Sequence, residues 1–244
     1  MTAYRLHFER ANLEAIEIVR DGTIGEPRFF NSSFSMQLTA GNIRADKSLG
    51  GGPIYDLGVY CINAARYFFR EEPEEVFAFS SRGHDRRFRE VDEMTSAILR
   101  FPGGRLAQFA CSFGASPVTW CEVVGTKGSL RLTNAYEYIE QMELELTLES
   151  GKTETRSFGE RDQFGPELLH FSECVQKGRK PEPDGREGLA DVRVIEALIA
   201  SAKSGRPQRL RLPAKSRRPT LRQEIRRRPV RKPAFVRARS ASRD

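Results

Sequence analysis

The sequence predicts an α+β fold, a large, mostly antiparallel open β-sheet with helices on one face. Three observations carry that reading. Helical periodicity fills both ends of the first 205 residues, with six strand-like segments rich in Val, Leu, Phe and Thr between them. The links between those segments are too short for crossover helices, and consecutive strands joined by short links pair antiparallel. At 244 residues, 39% apolar and 30% charged, the chain can bury a sizeable core.

The elements follow in order. Asn12 to Arg20 reads as a short amphipathic helix, stopped at Asp21-Gly22. Pro27 to Met36 reads as a strand, Lys47 to Gly52 as a glycine loop, and Pro53 to Arg70 as a helix. The six strands are Val76–Ser81, Met94–Phe101, Leu106–Phe113, Val118–Val124, Ser129–Thr133 and Leu144–Leu148. Gly103-Gly104 predicts a tight hairpin, and Gly125-Thr126-Lys127-Gly128 a second turn. Gln163 to Lys177 then places Phe164, Leu168, Phe171 and Val175 on one helical face, and Gly178 stops it. Gly188 to Lys203 does the same with Leu189, Val192, Ile195, Ile199 and Ala202, ending at Gly205-Arg206-Pro207. With helices on one side, the other face of the sheet needs a partner or must be polar, which predicts a homo-oligomer formed through that face.

The stretch Gly50-Gly51-Gly52-Pro53-Ile54-Tyr55-Asp56-Leu57-Gly58-Val59-Tyr60 is the most informative in the chain. Three glycines without a Cβ allow close approach to a ligand or to another backbone. Pro53 suits the first position of a helix. That helix has two stripes: Ile54, Leu57, Cys61, Ile62, Ala65 and Phe68 are apolar, while Asp56, Tyr60, Asn63 and Tyr67 recur on another side. Asp56 and Tyr60 stand one turn apart, so a carboxylate and a phenol share a helix start. Cys61, on the apolar stripe, is expected in the core.

Other chemistries lack their signatures. No Gly-x-Gly-x-x-Gly, no phosphate-binding Gly-x-x-x-x-Gly-Lys-Ser/Thr and no Gly-x-Ser-x-Gly occurs. His7, His84 and His170 are scattered without metal-ligand spacing, and His170 reads as a structural histidine. Four separated cysteines, no apolar leader and no spanning run predict a reduced, cytoplasmic protein with no membrane contact. The net charge of +7 is local: twelve of the 40 basic and two of the 33 acidic residues lie from Lys215 onward, leaving the body at 28 against 31. Residues 1–212 are therefore read as the α+β domain and 213–244 as a basic, disordered tail. With Phe235 as its one aromatic residue, the tail offers little base stacking, and no specific nucleic acid is expected.

These motifs resemble the C-terminal domain of the Gfo/Idh/MocA oxidoreductases, in the glucose-fructose oxidoreductase-like branch. Tyr4-Arg5-Leu6-His7-Phe8-Glu9, the glycine stretch through Tyr60, and Gly185 through Pro207 carry the likeness. The resemblance implies that Tyr60 moves the substrate proton and Asp56 orients the site. Arg5, Arg44 and Asn63 are candidate substrate contacts. It also implies NADP or NAD as cofactor and a sugar or polyol as substrate. The likeness starts downstream of the family's dinucleotide-binding Rossmann domain and Glu-Lys-Pro lysine, so a separate Rossmann-domain chain is a possible partner. A non-catalytic, oligomerising module derived from the family is the alternative reading. A phenol titrates near 10, so Tyr60 needs a neighbouring cation to act near neutrality, and Asp56 opposes it.

Overall fold

The computed structural model describes residues 1–213 and 218–228. Among the described residues, nine strands form one open sheet in the order β8-β7-β6-β5-β1-β4-β3-β2-β9, accompanied by four α-helices. The strands are β1 Pro27–Ser35, β2 Glu75–Ser81, β3 Met94–Arg100, β4 Leu106–Ser112, β5 Val118–Gly125, β6 Gly128–Thr133, β7 Met142–Leu148, β8 Thr153–Phe158 and β9 Gln208–Arg209. The helices are α1 Arg10–Arg20, α2 Val59–Phe69, α3 Gly165–Gln176 and α4 Gly185–Ser204. The seven strands read from sequence are present, and β8 and the two-residue β9 are additional. Both predicted turns hold: β3 pairs with β4 across Gly103-Gly104, and β5 with β6 across residues 125–128.

The strand order departs from a simple meander. β1 lies between β4 and β5, parallel to β4 and antiparallel to β5. The five-residue link from Ser112 to Val118 steps across β1, spanning the two inter-strand spacings that a hairpin would not need. One parallel pair at the centre of an otherwise antiparallel sheet results.

One face of the sheet holds the core. Phe30 and Phe34 of β1, Phe109 of β4, Val123 of β5 and Leu132 of β6 are all buried beneath α1, α2 and α4. The opposite face carries Phe29, Phe79, Met94, Ile98, Leu106 and Val118, each exposed, with Phe79 at 68%. Alternation along each strand fixes this division.

α3 does not cover the sheet. Its predicted apolar face, Phe164, Leu168, Phe171 and Val175, points outward, with Leu168 69% and Val175 66% exposed. Glu167 and Cys174 sit on its inner side instead. In α4 the buried face is rotated from the expected one: Val194, Ile195 and Leu198 are buried, while Leu189 and Val192 are exposed. α4 opens on an Asp184 side-chain cap and closes at Gly205 in the left-handed region.

The C-terminal segment also differs from its sequence reading. Residues 218–228, placed in the disordered tail by composition, are ordered against the body. Arg218 is buried against Glu72 at 2.8 Å, the Leu221 amide donates to Glu17 at 2.8 Å, and Glu224 pairs with Arg10 and Arg161. Arg218 thus meets an acidic group of the body, and the acidic Glu224 meets two of its arginines, pairings that a composition count does not show. The rest of the predicted tail, residues 214–217 and 229–244, lies outside the described residues.

Candidate functional site

The glycine stretch folds as its residues require. Gly50 and Gly52 take φ of 78° and 125°, conformations that favour glycine. A Cβ on Gly51 would stand 2.4 Å from the Arg44 carbonyl oxygen. The close approach is therefore to the backbone at Arg44–Asp46, and the Gly51 and Gly52 amides donate to the Asp46 and Arg44 carbonyls, both at 2.9 Å. This docking brings Arg44 to Asp56, whose Oδ2 accepts from Arg44 Nε at 2.6 Å.

The helix predicted from Pro53 onward is present, but its first turn, Ile54–Gly58, is a π-turn leading into α2. Such turns are rare and recur at functional sites. Gly58 faces the sheet, where a Cβ would lie 3.4 Å from Cys111 Sγ, an ordinary packing distance. The apolar stripe faces the core: Cys61 is fully buried, its Sγ accepts from Ser32 Oγ at 3.3 Å, and burial pushes its thiol pKa up to about 12. The polar stripe faces a cavity of about 260 Å³ between α2, α1 and the 3₁₀ turn Arg5–Phe8.

Asp56, Tyr60, Asn63 and Tyr67 all line that cavity, as does Arg5. Arg44 does not; it sits behind Asp56, and that pair is about one-third exposed. Asp56 and Tyr60 thus share one space, with the Asp56 charge already balanced by Arg44.

Arg5 occupies a position that sequence reasoning did not give it. Its Nε donates to Tyr60 Oη at 3.1 Å, and its guanidinium carbon is 4.9 Å from the Tyr60 ring centroid. The other end of the fork is held by the Gln163 side chain and the Tyr136 carbonyl. Arg5 is buried, so a fixed positive charge stands at the phenol oxygen. The Tyr60 ring is wedged between Phe34 at 5.4 Å and Tyr136 at 5.8 Å. Ring packing and the Arg5 bond together fix where Oη points.

Asn63 donates to Asp191 Oδ2 at 3.1 Å, and the Tyr4 hydroxyl donates to the same oxygen. Asp191 is completely buried beside Arg66, which also pairs with Glu72 at 2.6 Å and Glu187 at 2.7 Å. Burial raises the Asp191 pKa, and the Arg66 charge works against that rise. Burial opposes the charge on Arg66 too, yet the carboxylates around it keep its pKa above the ordinary value. Burial, followed by the Asp191 charge, pushes the Tyr4 phenol up. Tyr4, His7, Tyr136, Gln163 and Asp191 were missed from the sequence. Tyr4, His7 and Asp191 do lie within stretches that carry the family likeness, and Asp191 also stands four residues after Glu187 on α4. His170 accepts from the Glu182 amide at 3.2 Å, the structural role expected of it.

Among the described residues no group of three His, Cys, Asp or Glu is placed to hold a metal, and no described helix is long and apolar enough to cross a membrane.

The two stripes of α2 predict opposite phenotypes. Cys61→Ala is expected to lower stability by roughly 1–2 kcal/mol, read from a denaturant midpoint, without altering ligand binding in the cavity. A variant with the parent's midpoint would show that Cys61 does not pack as described.

Comparison with known proteins gives this geometry a context. Residues 12–131 match the GFO/IDH/MocA C-terminal domain. An uncharacterized oxidoreductase of Rhizobium meliloti is 35% identical over 199 residues, 79% of this chain and 59% of the relative. D-xylose 1-dehydrogenase (NADP(+)) 2 of Haloferax volcanii is 30% identical over 84% of this chain and 62% of its own length. The crystal structure of aldose-aldose oxidoreductase from Caulobacter crescentus, complexed with glycerol, superposes with a TM-score of 0.79 at 35% identity. That match covers 86% of this chain and 63% of the other. The chain thus spans about three-fifths of the length of these relatives.

Proposed function

We propose, for a chain that belongs to the Gfo/Idh/MocA oxidoreductase family, that the Tyr60 cavity is the substrate site of a dehydrogenase acting on sugar or polyol CH–OH groups. The observation that carries this reading is the Arg5 Nε to Tyr60 Oη hydrogen bond inside a cavity also lined by Asp56 and Asn63. Oxidising a carbinol requires a group to take the hydroxyl proton. Tyr60 Oη is the group placed to exchange that proton, and Arg5 Nε, which donates to it, fixes where the oxygen points. Arg44 balances Asp56, so Asp56 can accept from a substrate hydroxyl without adding net charge beside Tyr60. Asn63, anchored on Asp191, sets the next position along the same wall.

Relatives of the chain are named as NADP(+) enzymes, but the glycine stretch does not offer its amides to dinucleotide phosphates. The amides of Gly51 and Gly52 are committed to the Asp46 and Arg44 carbonyls. We therefore assign the cofactor to a dinucleotide-binding domain, carried on the same polypeptide or on another. The outward stripe of α3 supports that assignment. Its Phe164 packs on Tyr138 at 5.5 Å, and the Tyr138 ring centroid lies 5.4 Å from the guanidinium carbon of Arg5, which lines the cavity. The test is fusion of a relative's dinucleotide-binding domain upstream of Tyr4, followed by an assay for NADPH formation with D-xylose and D-glucose. Turnover of either supports the reading; a folded fusion that binds NADP(+) and turns over neither contradicts it.

The open sheet face bears on assembly. Phe29, Leu106, Ile98 and Phe79 are exposed apolar residues on one face of four neighbouring strands, with Phe29 directly opposite Leu106, and exposed apolar patches mark interaction sites. A dimer or larger oligomer is expected, and Phe79→Asp should shift it toward monomer. A monomer mass for the parent chain by light scattering at tens of micromolar would contradict this.

A further inference from the structure

The segment Arg218–Arg228 is joined to the cavity by two polar chains and one direct contact. The first chain starts where Arg218 Nη2 donates to Glu72 Oε1 at 2.8 Å. Glu72 Oε2 accepts from Arg66 Nε at 2.6 Å, and Arg66 donates onward to Asp191. Asp191 in turn accepts from Tyr4 and Asn63, both of which line the cavity. The second chain starts at Gln223, which hydrogen-bonds His7 Nε2 at 2.8 Å. His7 Nδ1 lies 3.0 Å from the Tyr67 hydroxyl, and His7 and Tyr67 line the cavity as well. Between the two anchors, Pro219 is itself buried and forms part of the cavity wall.

Charge balance explains why Arg218 docks. The single charge of Arg66 faces three carboxylates, Glu72, Glu187 and Asp191, none more than 9% exposed. Arg218, itself buried, supplies a second positive charge to Glu72, and uncompensated buried charge is costly. A Thr220–Gln223 capping box holds the turn that presents Gln223 to His7. Beyond it, Glu224 is clamped by Arg10 and Arg161.

We propose that Arg218–Arg228 is a clasp on the ligand cavity, in which Arg218 and Gln223 are positioning residues for Tyr4, Asn63 and Tyr67. Taking the ligand to be a sugar or polyol rests on the function proposed above; the clasp itself rests on the contacts just given. Coupling between two sites is reciprocal. A ligand that fills the cavity tightens the clasp, and loosening the clasp weakens the ligand. A segment that only stabilised the fold would show neither effect.

The experiment is hydrogen exchange on the 244-residue chain, with D-xylose as probe, beside the variant R218M/Q223M. Without ligand, the variant is expected to exchange the amides of Tyr4–Phe8 and Asn63–Phe68 about 5-fold faster or more, with the sheet strands unchanged. In the parent, D-xylose is expected to slow exchange in residues 220–226 together with Tyr4–Phe8, and the variant should bind it about 5-fold more weakly or worse. Parent-like exchange in both segments of the variant overturns the clasp. So does protection by D-xylose that reaches Tyr4–Phe8 but not residues 220–226, or unchanged affinity in the variant. If D-xylose protects nothing, the sugar reading fails; a rise in the variant's local exchange then supports positioning of Tyr4–Phe8 by the segment and contradicts its coupling to this ligand. Should R218M/Q223M not fold, Q223M, which leaves the Arg66 cluster intact, gives the same readings at Tyr4–Phe8.

Discussion

Tyr60→Phe, in an enzyme completed by a dinucleotide-binding domain, is expected to lower kcat by about 10²–10⁴-fold, the range for loss of a positioned acid or base. The variant keeps the ring that packs on Phe34 and Tyr136, so the fold and thermal transition should be retained. It loses the oxygen that meets Arg5. Because that oxygen acts in the transition state, kcat and kcat/KM should fall together. Steady-state kinetics on D-xylose reads the outcome, and near-parental kcat would make Tyr60 a packing residue.

The second large effect is on stability. Arg66→Met should destabilise by about 3–5 kcal/mol, because three carboxylates with little solvent contact lose their shared cation. For a chain of this size that corresponds to a fall in melting temperature of about 6–20 °C. The deficit depends on pH with a defined sign. In the parent, the Arg66 and Arg218 partners hold the Glu72 pKa below its ordinary value against the effect of burial. Its ion pairs therefore stabilise the fold above the unfolded-state value near 4.3 and fade as pH falls through the lower folded one. Without Arg66, Asp191 loses the charge that works against its burial-driven rise, so its folded pKa climbs further, while Glu72 keeps Arg218. The variant's deficit should then be largest near neutrality and shrink as pH falls toward 4. Denaturant melts at pH 7 and pH 4.5 check this; equal deficits at both would show that the cluster acts by packing and not by charge.

Which parts of this were legible in the sequence follows from how far apart the interacting residues lie. The two stripes of α2 occupy one contiguous segment, so period alone separates Asp56, Tyr60, Asn63 and Tyr67 from Cys61 and Ile62, and the cavity lies on the polar side. Glycine chemistry announced a close approach at Gly51 but not that its object is the Arg44 backbone. Strand order was illegible at β1, since its insertion between β4 and β5 depends on which surfaces meet and not on local pattern. Periodicity in α3 grouped Leu168 with Phe171 and Val175, yet a shared face does not say what covers it, and nothing in the described residues does. The sequence asks for a cation beside Tyr60 without naming it, since Arg5, which donates to that oxygen, lies 55 residues away. Composition marked the C-terminal segment as basic but could not show Glu72, Glu17 and His7 arranged to receive it.

In the proposed function, Arg5 acts through Tyr60 and not on the substrate directly. A double-mutant cycle in the reconstituted enzyme addresses this, with Arg5→Met, Tyr60→Phe and both together compared by kcat on D-xylose. If Arg5 serves Tyr60 Oη, Arg5→Met alone should be strongly impaired, and adding it to Tyr60→Phe should lower kcat little further. Fully additive losses in the double variant would contradict the account and return Arg5 to an independent role at the substrate.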